Sequence, residues 1–88
     1  MTWKVIFDNR ARKELRKIAS VDQERLLKWI RLNLATDQDP RRIGISLKGT
    51  MQGLWRYRID AYRIICQIRD KVIAILVIRV RHRPDSYG

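Results

Sequence analysis

Leu54-Trp55-Arg56-Tyr57-Arg58-Ile59 is followed by Asp60-Ala61 and then by Tyr62-Arg63-Ile64-Ile65-Cys66-Gln67-Ile68-Arg69. Two runs rich in aromatic and β-branched residues meet at a two-residue break. Such residues favour pleated strands, and a two-residue join is the length of an antiparallel hairpin. Side chains alternate across a strand, so Trp55, Tyr57 and Ile59 share one face while Arg56 and Arg58 share the other. With Asp60-Ala61 as the turn, Ile59 pairs with Tyr62 and Arg58 with Arg63. Directly opposed residues lie on the same face. Arg56, Arg58 and Arg63 then form one cluster, facing away from whatever covers the aromatic side. A slip of one residue would send Arg63 to the other face, so the reading stands or falls on register. Like charges placed opposite each other destabilise a sheet, and the arrangement therefore points to an anionic ligand.

Working outward, residues 72–80 read as a third strand, joined through Asp70-Lys71 as a second hairpin. Residues 73–78 are apolar at every position, the pattern of a central strand covered on both faces. Upstream, residues 37–53 form a loop punctuated by Asp39-Pro40, Gly44, Gly49 and Gly53, with Ile45 and Leu47 expected to tuck into the core. Before it come two helices. Ala11, Leu15 and Ile18 recur at helical spacing after Asp8 and Asn9, which can cap the start. Ser20-Val21-Asp22-Gln23 has capping-box form, and Leu27, Ile30 and Leu34, helped by Leu26, give the second helix its apolar face. Residues 3–7 alternate as a short first strand. The order β-α-α-β-β-β describes an α+β domain, with a helical hairpin packed on one face of a mainly antiparallel sheet.

All 88 residues are expected to form a single domain with one modest core. Twenty Lys/Arg against nine Asp/Glu leave a formal charge of +11. Residues 1–40 carry nine basic and six acidic side chains, a balance of +3, and residues 41–88 carry eleven and three, a balance of +8. The excess follows the strand-rich part. Such a surface attracts polyanions, with nucleic acid the leading class and an acidic protein the next. Arg12, Lys13, Arg16 and Lys17 read as the ordinary polar face of a helix, with a weak attraction for nucleic acid.

Cys66 is the only cysteine and His82 the only histidine. An intrachain disulfide, a cysteine-based zinc site and a multi-histidine metal site are excluded. Cys66 sits in an apolar run and reads as core. The carboxylates show no cage-like spacing, and there is no P-loop, GxGxxG, GxSxG or HExxH motif. The chain opens directly into a folded element, and its longest apolar run, residues 72–78, is too short to span a bilayer. A cytoplasmic protein without membrane attachment or cofactor is expected. Metal-free chemistry on a phosphodiester stays open.

The β-α-α-β-β-β order, Leu47-Lys48-Gly49, Trp55-Arg56-Tyr57-Arg58, Tyr62-Arg63-Ile64 and the ending His82-Arg83-Pro84-Asp85-Ser86-Tyr87 resemble the RelE/ParE toxin superfamily of type II toxin–antitoxin systems. The resemblance covers nearly the whole chain. The Arg-Tyr-Arg, Tyr-Arg and His-Arg-x-Asp-x-Tyr elements resemble the RelE branch, whose members cleave mRNA in the ribosomal A site. It implies a RelE-like fold, a ribosome-dependent endoribonuclease, and a cognate antitoxin that covers the basic surface. It implies Arg56 and Arg58 as backbone-binding residues, Arg63 and Arg83 as transition-state stabilisers, and Tyr87 as a base-stacking or proton-transferring residue. Lys48 falls at a basic loop position suited to contact rRNA, and Arg81, which stands where many members have glycine, is expected with it as a substrate-binding residue. Arg56 and Arg58 replace family lysines, and an arginine effectively cannot serve as a base. Proton transfer is left to Tyr87, whose phenolate surrounding arginines favour, or to His82. Two other readings are compatible with the chain: a ParE-like gyrase inhibitor acting through its helices, and a non-catalytic nucleic-acid or partner-binding module.

Overall fold

The computed structural model describes residues 1–82. Five strands form one mixed sheet in the order β1-β5-β4-β3-β2: β1 (Lys4–Phe7), β2 (Ile45–Ser46), β3 (Trp55–Ile59), β4 (Tyr62–Arg69) and β5 (Ala74–His82). β1 runs parallel to β5, and the other pairs are antiparallel. Two helices, α1 (Asn9–Arg16) and α2 (Ser20–Asn33), supply apolar residues to one face. The helix-on-sheet layering and all the expected elements are present in their expected order, with one further strand, β2, between α2 and β3.

The apolar layer explains the packing. Ala11 from α1 and Leu26, Ile30 and Leu34 from α2 meet Tyr57, Ile64, Cys66, Ile75 and Val77 from the sheet. Tyr57, Ile64, Cys66, Ile75 and Val77 are all at or below 1% exposed, so this layer is essentially dry. Burying each such side chain contributes roughly 1.5–3 kcal/mol. Asp8 caps α1 as expected, accepting a hydrogen bond from the Ala11 N–H at 2.8 Å.

The α2 start differs from the capping-box expectation. Ala19 is its N-cap and makes no side-chain cap bond. The Gln23 amide instead donates to the Ile18 carbonyl at 2.8 Å, and Asp22 is drawn into a contact with β4. Leu27 is 43% exposed rather than part of the buried stripe, because Leu26 and Ile30 already occupy the side facing the sheet.

The 37–53 segment holds more structure than expected. It contributes β2, which pairs Ile45 with Arg56 and Ser46 with Trp55. Ile45 does not tuck in; it is 48% exposed, because Ile43 takes the place against the core. Leu47 is half-buried. Gly44, at φ +77°, is what allows the approach: a Cβ there would meet the Arg56 carbonyl oxygen at 2.6 Å and Trp55 Nε1 at 2.8 Å.

Asp70-Lys71 is not a two-residue turn. Asp70–Val72 form a single 3₁₀ turn, and Ile73 takes a left-handed conformation at φ 50°, so β5 begins at Ala74 rather than residue 72. β5 lies inside the sheet, but Leu76 and Ile78 keep partial exposure, unlike the strand covered on both faces that their composition implied. Between β4 and β5 the register shifts by one: Cys66 faces Val77, yet Ile65 faces Arg79. Ile78 is the extra residue of a β-bulge.

Candidate functional site

The β3–β4 hairpin has the register on which the arginine cluster depends. Ile59 pairs with Tyr62 and Arg58 with Arg63. On the other side of β4, Arg63 pairs with Arg81 of β5. Three guanidinium-bearing residues, Arg58, Arg63 and Arg81, thus stand in one row across three strands. Arg56 lies two residues from Arg58 on the same face, opposite Ile65. The buried aromatic side of β3 faces the helices, so its alternate positions are left on the open face.

Arg56, Arg63, Arg81 and His82 border a cleft of about 360 Å³. Leu47, Met51 and Ile65 supply its apolar lining. Ile65, only 7% exposed but outside the helix-side core, packs there beneath the arginines.

The electrostatics of the cleft are uncompensated among the described residues. The Nε atoms of Arg56 and Arg63 are shut off from solvent and have no hydrogen-bond partner. The ion pairs among described residues are Arg41 with Asp39 and Asp70, and Arg79 with Glu14, so no described carboxylate pairs with the cluster. Burial, then the charges of Arg63 and Arg58, push the Arg56 guanidinium below its ordinary pKa. Burying a charged donor without an acceptor is costly, and an anion with several oxygens would satisfy these groups together.

His82 stands opposite Tyr62, with ring centroids 5.0 Å apart in an edge-to-face arrangement. The Tyr62 hydroxyl donates to Asp22 Oδ2 at 2.8 Å, and burial and that carboxylate raise the Tyr62 pKa. His82 is exposed and has one ring neighbour from the core side while bordering the cleft. Arg58 also borders a second hollow, shared with Trp29, Asn33 and Ile43.

The site residues read from the sequence divide into three groups. Arg56, Arg63, Arg81 and His82 converge on the cleft, and Arg58 adjoins it through Arg63. Lys48 is exposed at the start of the Gly49–Met51 turn and does not line the cleft, although its neighbours Leu47 and Met51 do. Arg83 and Tyr87 lie outside the described residues. Cys66 is wholly buried and burial raises its thiol pKa, in keeping with the core reading. The apolar lining of Leu47, Met51 and Ile65 was not anticipated as part of the site; the hydrophobic residues flanking Lys48-Gly49 were the available signal. Among the described residues no helix is long and apolar enough to cross a membrane.

A small basic α+β protein with arginines arrayed on an open sheet face matches one toxin class. The family model for the ParE toxin of type II toxin–antitoxin systems matches residues 5–87. Toxin RelG of Mycobacterium tuberculosis is 28% identical over 87 residues, spanning 99% of this chain and 98% of that protein. Among solved structures, the M. tuberculosis toxin–antitoxin complex RelBE2 contains a chain with a TM-score of 0.85 at 25% identity, covering 94% of this chain and 100% of that one. A mutant of E. coli toxin RelE in the free state gives a TM-score of 0.72 at 28% identity, covering 99% of this chain and 90% of that one. The chain belongs to the RelE/ParE toxin superfamily and is a toxin of a type II toxin–antitoxin system.

Proposed function

We propose that this toxin is a metal-independent endoribonuclease that cuts mRNA in the ribosomal A site. The observation that carries the reading is the row Arg58–Arg63–Arg81 with Arg56 beside it, whose buried Nε groups at Arg56 and Arg63 lack partners among the described residues. The likeness to RelE in both sequence and fold favours the RelE activity over other superfamily activities.

RNA supplies its own nucleophile, the ribose 2′-OH. The protein must align that oxygen with the phosphorus, accept its proton, stabilise the pentacoordinate phosphorane and protonate the departing 5′-oxygen. Arg63 and Arg81 line the cleft from adjacent strands, and guanidinium forks match phosphate oxygens in geometry and charge. Arg56 and Arg58 hold flanking phosphates. Preorganised donors of this kind contribute on the order of 10²–10³ each in rate. Arg83 joins Arg63 as a charge stabiliser, and Tyr87 or His82 carries the proton. Arginine at positions 56 and 58 leaves no cleft lysine to act as the base. Lys48, exposed beside the cleft, contacts rRNA. The ribosome holds the mRNA against this open face, and a cognate antitoxin neutralises the face by covering it. The RelBE2 match is itself a toxin–antitoxin complex, which supports that partnership. The reading places the toxin in the cytoplasm, with no cofactor.

The test is primer extension on an mRNA in a purified translation system, with and without the protein, and again without ribosomes. New 3′ ends at the A-site codon only with ribosomes present are the expected result. Cuts without ribosomes would keep the nuclease and discard ribosome dependence. The ParE description of the matching family favours a second reading, inhibition of DNA gyrase. Intact mRNA together with gyrase-linked DNA breaks would replace the first reading with that one.

A further inference from the structure

We infer that Glu14, on α1, is a positioning residue that holds the β5 bulge and thereby keeps Arg81 on the cleft face. The inference deepens the proposed nuclease reading and rests on it for its catalytic consequence only.

The bulge decides which way the end of β5 faces. From Ala74 to Val77 the pairing with β4 is regular, and Val77 lies in the core with Cys66. Had that register continued, Ile64 would pair with Arg79, Arg63 with Val80 and Tyr62 with Arg81. Opposed residues share a face. Arg79 and Arg81 would then fall on the helix side with Ile64 and Tyr62, and Val80 would sit among the cleft arginines. The extra residue Ile78 inverts this. Val80 is instead 5% exposed in the core, opposite Ile64, and Arg81 stands opposite Arg63.

Something must pay the backbone cost of that bulge, because β5 loses its other neighbour at the same point. β1 pairs with β5 only as far as Val77; the Asp8 N–H takes the Val77 carbonyl, and the chain then turns into α1. Beyond Val77, no β1 residue stands opposite Val80. Glu14 fills the gap: its Oε1 accepts from the Val80 N–H at 2.9 Å. The same carboxylate receives Arg79, with Nε 3.2 Å from each oxygen and one terminal nitrogen 3.1 Å from Oε2. Both side chains are about four-fifths shielded, at 21% and 23% exposed, so solvent screens the contact less than it would a surface pair. One carboxylate therefore ties down the residue on either side of the Arg79–Val80 peptide, immediately before Arg81. It also withdraws Arg79 from the anion-binding set, which explains why this arginine, alone on β5, has an acidic partner among the described residues.

The test uses the whole chain and reads position separately from chemistry. In ¹⁵N-labelled protein, inorganic phosphate is titrated while the guanidinium Nε–H signals of Arg63 and Arg81 are followed. In the unsubstituted protein both should shift along one binding curve. Glu14→Ala should speed exchange of the Val80 amide on the order of tenfold, the loss of one hydrogen bond to a charged acceptor. It should also remove the Arg81 response while leaving that of Arg63. On ribosomes, kcat should fall about 100-fold, the scale of an ångström-sized misplacement, with KM nearly unchanged. Glu14→Gln keeps an acceptor oxygen and should restore both signals. Glu14→Asp withdraws the carboxylate by one methylene with little threat to folding, and should show the alanine pattern at smaller amplitude. Unchanged Val80 exchange and joint Arg63–Arg81 shifts in the alanine and aspartate variants would overturn the inference. So would a glutamine variant as impaired as alanine, since that would assign the effect to charge on α1. Absent cleavage by the unsubstituted protein, with the phosphate pattern as expected, would remove the nuclease reading and leave the positioning role standing.

Discussion

On the helix-facing side of the sheet, polar atoms are paired as they are buried. Tyr57 donates its hydroxyl to the Pro40 carbonyl at 2.6 Å, Tyr62 donates to Asp22 at 2.8 Å, and Trp55 Nε1 donates to the Ile43 carbonyl at 2.7 Å. On the open side, Arg58, Arg63 and Arg81 stand in line, and the Nε atoms of Arg56 and Arg63 are buried without partners among the described residues. The same two strands, β3 and β4, supply both sides. One side is organised for stability, because leaving a buried polar group unsatisfied costs about 1–3 kcal/mol. The other keeps donors unsatisfied and like charges adjacent, which costs stability and is useful when an anion arrives.

Substitutions on the two sides should therefore separate stability from activity. The largest effect is expected in the packed layer: Ile64→Ala should cost roughly 2–5 kcal/mol, read from urea unfolding, through lost burial and the cavity left behind. Arg63→Ala should reverse that pattern. Cleavage should fall on the order of 10²–10³, while stability stays level or rises by roughly 0.2–1 kcal/mol as repulsion is relieved. A cluster variant that lowers the melting temperature as much as Ile64→Ala would break the contrast between the faces.

A smaller loss is expected at the paired tyrosine. Tyr57→Phe should cost roughly 1–3 kcal/mol, because the Pro40 carbonyl is left in a buried site without its donor, and A-site cleavage should be unaltered per folded molecule. The smallest effect concerns acid. Burial pushes the Glu14 carboxyl up, but the Val80 N–H, Arg79 and Arg10 together outweigh it, so its pKa lies below the ordinary value. A depressed folded pKa means that this contribution is complete above the unfolded value of about 4.3 and is lost as pH falls through the folded one. Urea midpoints measured down that range should decline less steeply in Glu14→Gln than in the unsubstituted chain. Parallel curves would show that the carboxylate adds nothing to folding.

Much of this was legible in the chain. Alternation in Trp55-Arg56-Tyr57-Arg58-Ile59 separates the faces because strand geometry has a period of two, and Asp60-Ala61 sets the register because a two-residue turn leaves little slack. Asp60, at φ 53°, adopts the left-handed conformation that a short polar side chain tolerates. The helical stripe on α2 was less legible. Leu26 and Leu27 are adjacent leucines, and only the direction of approach of the sheet selects Leu26 for burial. Ile45 was likewise indistinguishable from Ile43 until β2 took its place beside β3.

The sequence by itself determined the order of the helices and the longer strands, the Arg58–Arg63 pairing and the basic face, because these follow from local periodicity and a short turn. The sequence offered Arg81 as a further substrate-binding residue, but only the tertiary structure decided which face it takes and that it stands opposite Arg63. A bulge costs a single residue and leaves no local mark, so the orientation of residues 79–82 depends on where β1 ends and on a carboxylate reaching across from α1. That contact joins positions 66 residues apart, Glu14 and Val80, a separation at which periodicity carries no information.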